Sequence, residues 1–280
     1  MDVNNKIEVD GVVNEYDFTT ERRMLFEIQC NTLSKAFEKR NVMVHVLENR
    51  DELYPFMQKF IMQRNDISDI SFSDGATLYE LDLFNWMNAN YANRPVSNNV
   101  MGGGEYSVNQ PLKRGVNGHY AVFGDQPRER MQLPFDEWKR LNDEWYEGCR
   151  KSLMSDLLII SANGITLNGE VISIDGLGNR VSGMIFGPRH VVCIVGRNKI
   201  YPNEDVAMAM IRNHVVPLTY LRHINKHIAS FNDVPCVKLG KCVDCMHEYS
   251  SCRNIVVMRG QIKQHKDRFH LVVINEDLGF

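Results

Sequence analysis

The apolar positions along this chain change period repeatedly, and each change marks a new element. Leu25, Ile28, Leu33, Ala36 and Phe37 recur at helical spacing with charges between them, which predicts a helix with one buried face. Val42 to Leu47 is a short apolar run and reads as a strand, and Asp51 to Met62 returns to helical spacing. Ile67 to Phe72 predicts a second strand, which runs into Ser73-Asp74-Gly75-Ala76-Thr77 and a helix carrying Leu78, Leu81, Phe84 and Met87. Thr77 and Glu80 have the spacing of a capping box, which places the helix start at Thr77.

Residues 90–133 break the rhythm. Gly102-Gly103-Gly104, Pro111, Gly115, Gly118 and Pro127 predict a long loop or insertion, of the kind that covers a site as a lid. Helical spacing resumes from Phe135 to Lys151, with Trp138, Leu141 and Trp145. Leu157 to Ser161 is an apolar strand. Ile165 to Leu167 and Val171 to Ile174 flank Asn168-Gly169, the signal of a type I′ hairpin.

Asp175-Gly176-Leu177-Gly178-Asn179-Arg180 follows as a tight loop, then a helix with Val181, Met184 and Ile185 that stops at Gly187-Pro188. His190 to Val195 is almost continuously apolar, as a strand covered on both faces should be. Two helices come next, one opened by Pro202-Asn203-Glu204-Asp205 and one by Pro217. A cysteine-rich stretch and two strands, Ile255 to Met258 and Leu271 to Ile274, complete the pattern. Strands alternating with helices predict an α/β fold, a largely parallel sheet flanked by helices. The expected organisation is a mobile lead-in over 1–15 and a single domain over 16–280.

The totals narrow the partners. A chain of 280 residues, 44% hydrophobic, can bury a substantial core, and a net charge of -3 gives no general attraction to nucleic acid or anionic membrane. No run approaches the roughly twenty apolar residues of a membrane span. Met1 to Asp10 is polar and has no apolar leader, so a cytoplasmic location is the expectation.

Candidate chemistry concentrates in two places. Cys236, Cys242, Cys245 and Cys252 lie in a C-x5-C-x2-C-x6-C pattern, whereas Cys30, Cys149 and Cys193 are isolated. Four thiolates so close in sequence suit Zn²⁺ or an iron–sulfur cluster; a disulfide pair and unconnected thiols are the competing readings. His247 lies inside the run and offers a substitute ligand, and His223 and His227 sit one helical turn apart. The second place is the Asp175–Arg180 loop. There Gly176 and Gly178 would let a ligand approach the backbone, Arg180 supplies charge, and Asp175 and Asn179 supply hydrogen bonds for an anion; a helix cap is the competing reading.

Thr77 and Glu80 at one strand end, and Asn163 and Thr166 just beyond another, would share a pocket if these loops meet at the carboxyl edge of the sheet. There is no G-x-S-x-G, Walker loop or dinucleotide fingerprint, so no nucleotide cofactor is expected.

Several blocks carry a resemblance. They are Asn163-Gly-Ile-Thr166, the run from Asn168 to Pro188, Val195-Gly-Arg-Asn-Lys-Ile200, Gly240-Lys-Cys-Val-Asp-Cys245 and Asn275-Glu-Asp-Leu-Gly-Phe280. Together they resemble the LUD domain family, named for lactate utilisation. The resemblance implies a fold akin to glucosamine-6-phosphate deaminase, ribose-5-phosphate isomerase and CoA transferases. It also implies a relation to lactate-utilisation protein C, with a small organic anion as ligand and redox subunits as partners; self-association stays open. A non-catalytic binding or assembly protein and an isomerase- or transferase-like enzyme are the alternatives. Relatives tend to carry a Gly-Gly-Ser-type turn where this chain has Ser73-Asp74-Gly75-Ala76, and Asp74 would repel an anion there.

Overall fold

The computed structural model describes residues 17–91, 100–101, 135–226 and 233–280. The expected lead-in, nearly all of the 90–133 insertion, and His227 lie outside the described residues.

Ten strands are described: β1 (Met43–Leu47), β2 (Ile70–Ser73), β3 (Val100–Met101), β4 (Leu157–Ile160), β5 (Gly164–Thr166), β6 (Val171–Asp175), β7 (His190–Gly196), β8 (Ile200–Tyr201), β9 (Asn254–Met258) and β10 (Phe269–Ile274). Six of them form one sheet in the order β1-β10-β7-β4-β2-β3, and every neighbouring pair is parallel. The fold is therefore α/β with a parallel sheet flanked by helices, as the alternating pattern predicts.

Side chains alternate across the central strands. Val192, Ile194, Val272 and Ile274 point to one face, packing with Leu53, Met57 and Ile61 of the helix Leu53–Met62 and with the helices at 76–91. Val191, Cys193, Val195, Leu271 and Val273 point to the other, against the helix Thr19–Glu38 and Met184. The period of two in the strands thus builds two apolar layers on one sheet.

β5, β6, β8 and β9 form a smaller sheet, in the order β8-β5-β6-β9, that grows out of the carboxyl ends of β4 and β7. The hairpin joining β5 to β6 forms where expected, but its turn differs. Only Gly169 is left-handed, at φ +85°, and its N–H donates to Thr166 O. A type I′ turn would need Asn168 left-handed as well.

Two further expectations change. In the first helix the buried stripe is Phe26, Cys30, Leu33 and Phe37, while Leu25 and Ile28 are exposed. The helix carries two apolar stripes, and spacing alone does not say which one meets the sheet. Next, Pro217 does not open a separate helix. Glu204–Met210, Ile211–Val215 and Val216–Lys226 run on continuously, and the middle segment is π-helical. The wider turn accommodates a proline that has no N–H to give. The helix Asn179–Ile185 does stop just before Gly187-Pro188, and its end rests on Arg268, whose guanidinium donates to the carbonyls of Gly183, Met184 and Pro188. That buried cation satisfies the helix's last free carbonyls.

Candidate functional site

The helix that follows β2 covers one face of the sheet, and the chain that follows β4 covers the other. Between them lies the carboxyl edge of the parallel sheet, the usual ligand position of an open α/β sheet. Residues from four elements meet there.

Lys199 closes the short turn after β7 and is 5% exposed. Its Nζ donates to Thr77 Oγ1 at 2.8 Å, to Ser161 Oγ at 3.3 Å and to Ala162 O at 3.2 Å. Ser161 Oγ lies 3.2 Å from Thr77 Oγ1, which in turn donates to Leu278 O at 3.3 Å. All the ammonium's partners are neutral, and among the described residues no carboxylate lies within 4.0 Å of it. Burial lowers the Lys199 pKa to about 8; Arg180 lowers it further and Glu80 opposes the fall. Cys193 does not compensate the charge, because burial pushes its thiol up to about 12 and keeps it neutral.

Thr77 and Glu80 do not form a capping box. The helix begins at Ala76 with Gly75 as its cap residue, so Thr77 already lies inside the first turn. Its hydroxyl serves Lys199, while Glu80 Oε2 accepts from Gly279 N at 2.7 Å. Both side chains have been recruited by the segment that follows β10. There Arg50 N and Nε donate to Glu276 at 2.7 Å, Leu278 N donates to Asn198 Oδ1 at 3.0 Å, and Leu278 is fully buried. Gly279 lies closest to the buried amine. Its φ is +65°, and a Cβ would stand 2.6 Å from Thr77 Oγ1 and 3.3 Å from Lys199 Nζ, so only glycine fits.

Asp74, expected to repel an anion, is balanced: Arg222 Nη1 stands 3.9 Å from Asp74 Oδ1, and the guanidinium lies over the Tyr79 ring. Arg222 Nη2 and Ser73 Oγ are buried without a hydrogen-bond partner among the described residues. Buried polar atoms of this kind cost stability unless something satisfies them.

The Asp175–Arg180 loop is organised around its own carboxylate. Asp175 accepts from the N–H groups of Gly178, Arg180 and Val181 at 3.1–3.2 Å, so it occupies the amides that an anion would use. Gly176 packs against Ser251, and Asn254 Nδ2 donates to Gly176 O at 3.0 Å. Asn179 turns toward Cys149. Arg180 donates to Ile174 O at 2.7 Å and to Asn163 Oδ1 at 3.2 Å. Asn163 Oδ1 also accepts from Ile174 N, so it ties the loop to the end of β4. Thr166 sits at the far end of the small sheet and donates to the buried Glu170 carboxylate.

The cysteine segment packs along the 204–226 helical run. Cys242 N donates to Asn213 Oδ1 at 3.0 Å, and Arg212 pairs with Asp244 at 3.2 Å. Cys236 is buried, whereas Cys242, Cys245 and Cys252 are partly exposed, and all are free thiols. Burial raises the Cys252 pKa to about 11, and Cys236, Cys242 and Cys245 each add to the rise. The four thiols are therefore electrostatic neighbours. Among the described residues their sulfurs do not form a group of three within 4.8 Å of one another.

Sequence reasoning singled out Thr77 and Glu80 but missed Lys199, Ser161 and Arg222. The available signal was the short Arg197-Asn198-Lys199 turn, which sets two cations between an apolar strand and Ile200.

A family profile described as "LUD domain" matches residues 30–274. No protein with curated function matches. A solved structure described as a duf162 family protein from Deinococcus radiodurans is similar at 11% identity and a TM-score of 0.35, covering 91% of this chain and 98% of that one.

Proposed function

This chain belongs to the LUD-domain family, and on that premise we propose that it binds a small organic carboxylate, of lactate's size and charge, in the crevice at the carboxyl edge of the parallel sheet. The buried amine of Lys199 carries the proposal. A cation taken out of water without a paired carboxylate is costly, and an anionic ligand relieves that cost. Arg180 supplies a second positive charge within electrostatic reach of it. Arg222 Nη2 and Ser73 Oγ offer unsatisfied donors on the same rim. Thr77 and Ser161 can exchange their bond to Lys199 for a ligand oxygen. The reading supports a role in small-carboxylate utilisation, as an enzyme or as a subunit of one.

Calorimetric titration with lactate, pyruvate and inorganic phosphate tests it. The two carboxylates should bind, and Lys199→Met should weaken them by about tenfold or more, the value of a charge-assisted hydrogen bond. Arg180→Ala should weaken them less. Equal affinity in folded Lys199→Met protein would overturn the assignment.

A second reading concerns the thiols. Their mutual electrostatic reach supports a zinc or iron–sulfur site formed when Cys236, Cys242, Cys245 and Cys252 close around the metal. Bound metal there would fix the segment against Asn213 and Arg212.

A further inference from the structure

The amino edge of the same sheet holds a different cluster. His190 opens β7, His270 is the second residue of β10, and Asp267 lies in the turn before it. One donor atom from each falls within 4.8 Å of the other two.

Both imidazoles are held from behind. His190 Nε2 stands 3.0 Å from Asp66 Oδ2, and His270 Nδ1 stands 3.2 Å from His45 Nε2. Their inner nitrogens converge on Asp267. His190 Nδ1 is 3.2 Å and His270 Nε2 3.0 Å from its carbonyl oxygen, and His270 Nε2 is 3.5 Å from its Oδ1. The Asp267 carbonyl oxygen only accepts, so without an ion an inner N–H faces it; with the hydrogens on the outer nitrogens instead, toward Asp66 and His45, the inner ones turn their lone pairs to the same point. A histidine whose far N–H is fixed by a carboxylate or another acceptor is the usual second shell of a metal ligand.

The spacing suits a small ion. Ligand atoms of a tetrahedral zinc stand about 3.4 Å apart, close to the His270–Asp267 separation. A cavity of about 390 Å³, lined by Asp66, Arg189, His190, His265 and Asp267, adjoins the cluster and leaves room for further ligands.

We propose that His190, His270 and Asp267 form a second site, taking a divalent transition-metal ion of the zinc class with open positions toward this cavity. Two imidazoles and one carboxylate are a donor set of that class. The site lies one strand length, on the order of 20 Å, from the crevice around Lys199 and is independent of it. Arg64 opposes the ion. Its Nη2 is 3.4 Å from Asp267 Oδ1 and 3.5 Å from His270 Nε2, braced over the Phe60 ring. A bound ion displaces this guanidinium, so the resident cation sets the affinity.

Titration of the reduced protein with Co²⁺, followed by visible absorption, tests the site. A Cys242→Ser/Cys245→Ser double variant, which breaks the thiol segment as a competing ligand set, should show one saturable set of d–d bands without a thiolate charge-transfer band. The wild-type protein should show the same d–d bands, and any charge-transfer band it adds belongs to the thiol segment. Asp267→Asn, at an exposed position, should weaken binding by about tenfold or more, and Asp66→Asn should weaken it through the second shell by a comparable factor. Arg64→Gln should tighten it. Absence of such a d–d signal in the double variant would overturn the proposal. So would an unchanged affinity in folded Asp267→Asn protein.

Discussion

The Lys199 ammonium lies 2.8 Å from Thr77 Oγ1, joining the turn after β7 to the first turn of the helix after β2. The two residues are 122 positions apart in sequence, and the bond draws two loops of the sheet into one polar knot. Removing one partner therefore strands the others. Thr77→Val deletes an acceptor for Lys199 and a donor for Leu278 O, and it should cost about 1–3 kcal/mol in a denaturant titration. In the Lys199→Met background the same substitution should cost clearly less, a coupling that a double-mutant cycle measures.

Lys199 also makes stability depend on pH in a definite direction. Its pKa falls from 10.5 to about 8 on folding. Between those values the unfolded chain holds more protons than the folded one, so stability rises with pH across the window. Lys199→Met removes the buried charge. Its gain in Tm should be largest below pH 8 and should shrink as pH climbs toward 10.5. Scanning calorimetry at about pH 7 and about pH 10 would decide it; an equal gain at both would contradict the charge argument.

Asp175 holds the loop before the 179–185 helix by accepting three backbone N–H groups. Asp175→Asn removes the charge and one acceptor, and it should destabilise the fold by about 1–3 kcal/mol. Because the carboxylate serves its own loop, adding phosphate should not restore the loss. Rescue by phosphate would show that the amides accept external anions.

Gly279→Ala forces a left-handed conformation on a residue with a Cβ, at a cost of about 1–3 kcal/mol, and drives that Cβ into Thr77 Oγ1. The expected outcome is release of the 275–280 segment from Glu80 and faster amide exchange at Gly75–Leu78. Protection as strong as in the wild type would refute it.

For the thiols, anaerobic purification followed by metal analysis separates the alternatives. One equivalent of zinc without colour indicates a structural knot, and a brown protein indicates a cluster. Cys245→Ser should lose either one. Neither metal after anaerobic reconstitution would leave the four cysteines as free thiols.

The parallel sheet was legible because its strands are short, β-branched and apolar on both faces, as in His190–Val195, and because helical spacing separates them. The phase of the first helix was not, since Leu25 and Ile28 make a second apolar stripe that spacing cannot distinguish from the buried one. Pro217 was read as a start signal because a π segment leaves no mark in the pattern of side chains. The site was half legible. Thr77 and Glu80 were chosen from local spacing, but their partners Lys199 and Gly279 lie 122 and 199 residues further on. Asp175 illustrates a second ambiguity: a glycine-flanked loop reads the same whether it takes an outside anion or its own carboxylate caps it, as Asp175 does.

The place of β10 has a consequence for synthesis. It lies between β1 and β7, and among the described residues β1 pairs with no other strand, so His45 waits for His270, 225 residues later. Until that late strand is made, β1 offers bare backbone edges, and the first helix has an incomplete surface to dock on. Such remote pairing slows folding and leaves sticky intermediates. On the ribosome, a nascent chain of this design carries that unpaired edge for most of its synthesis.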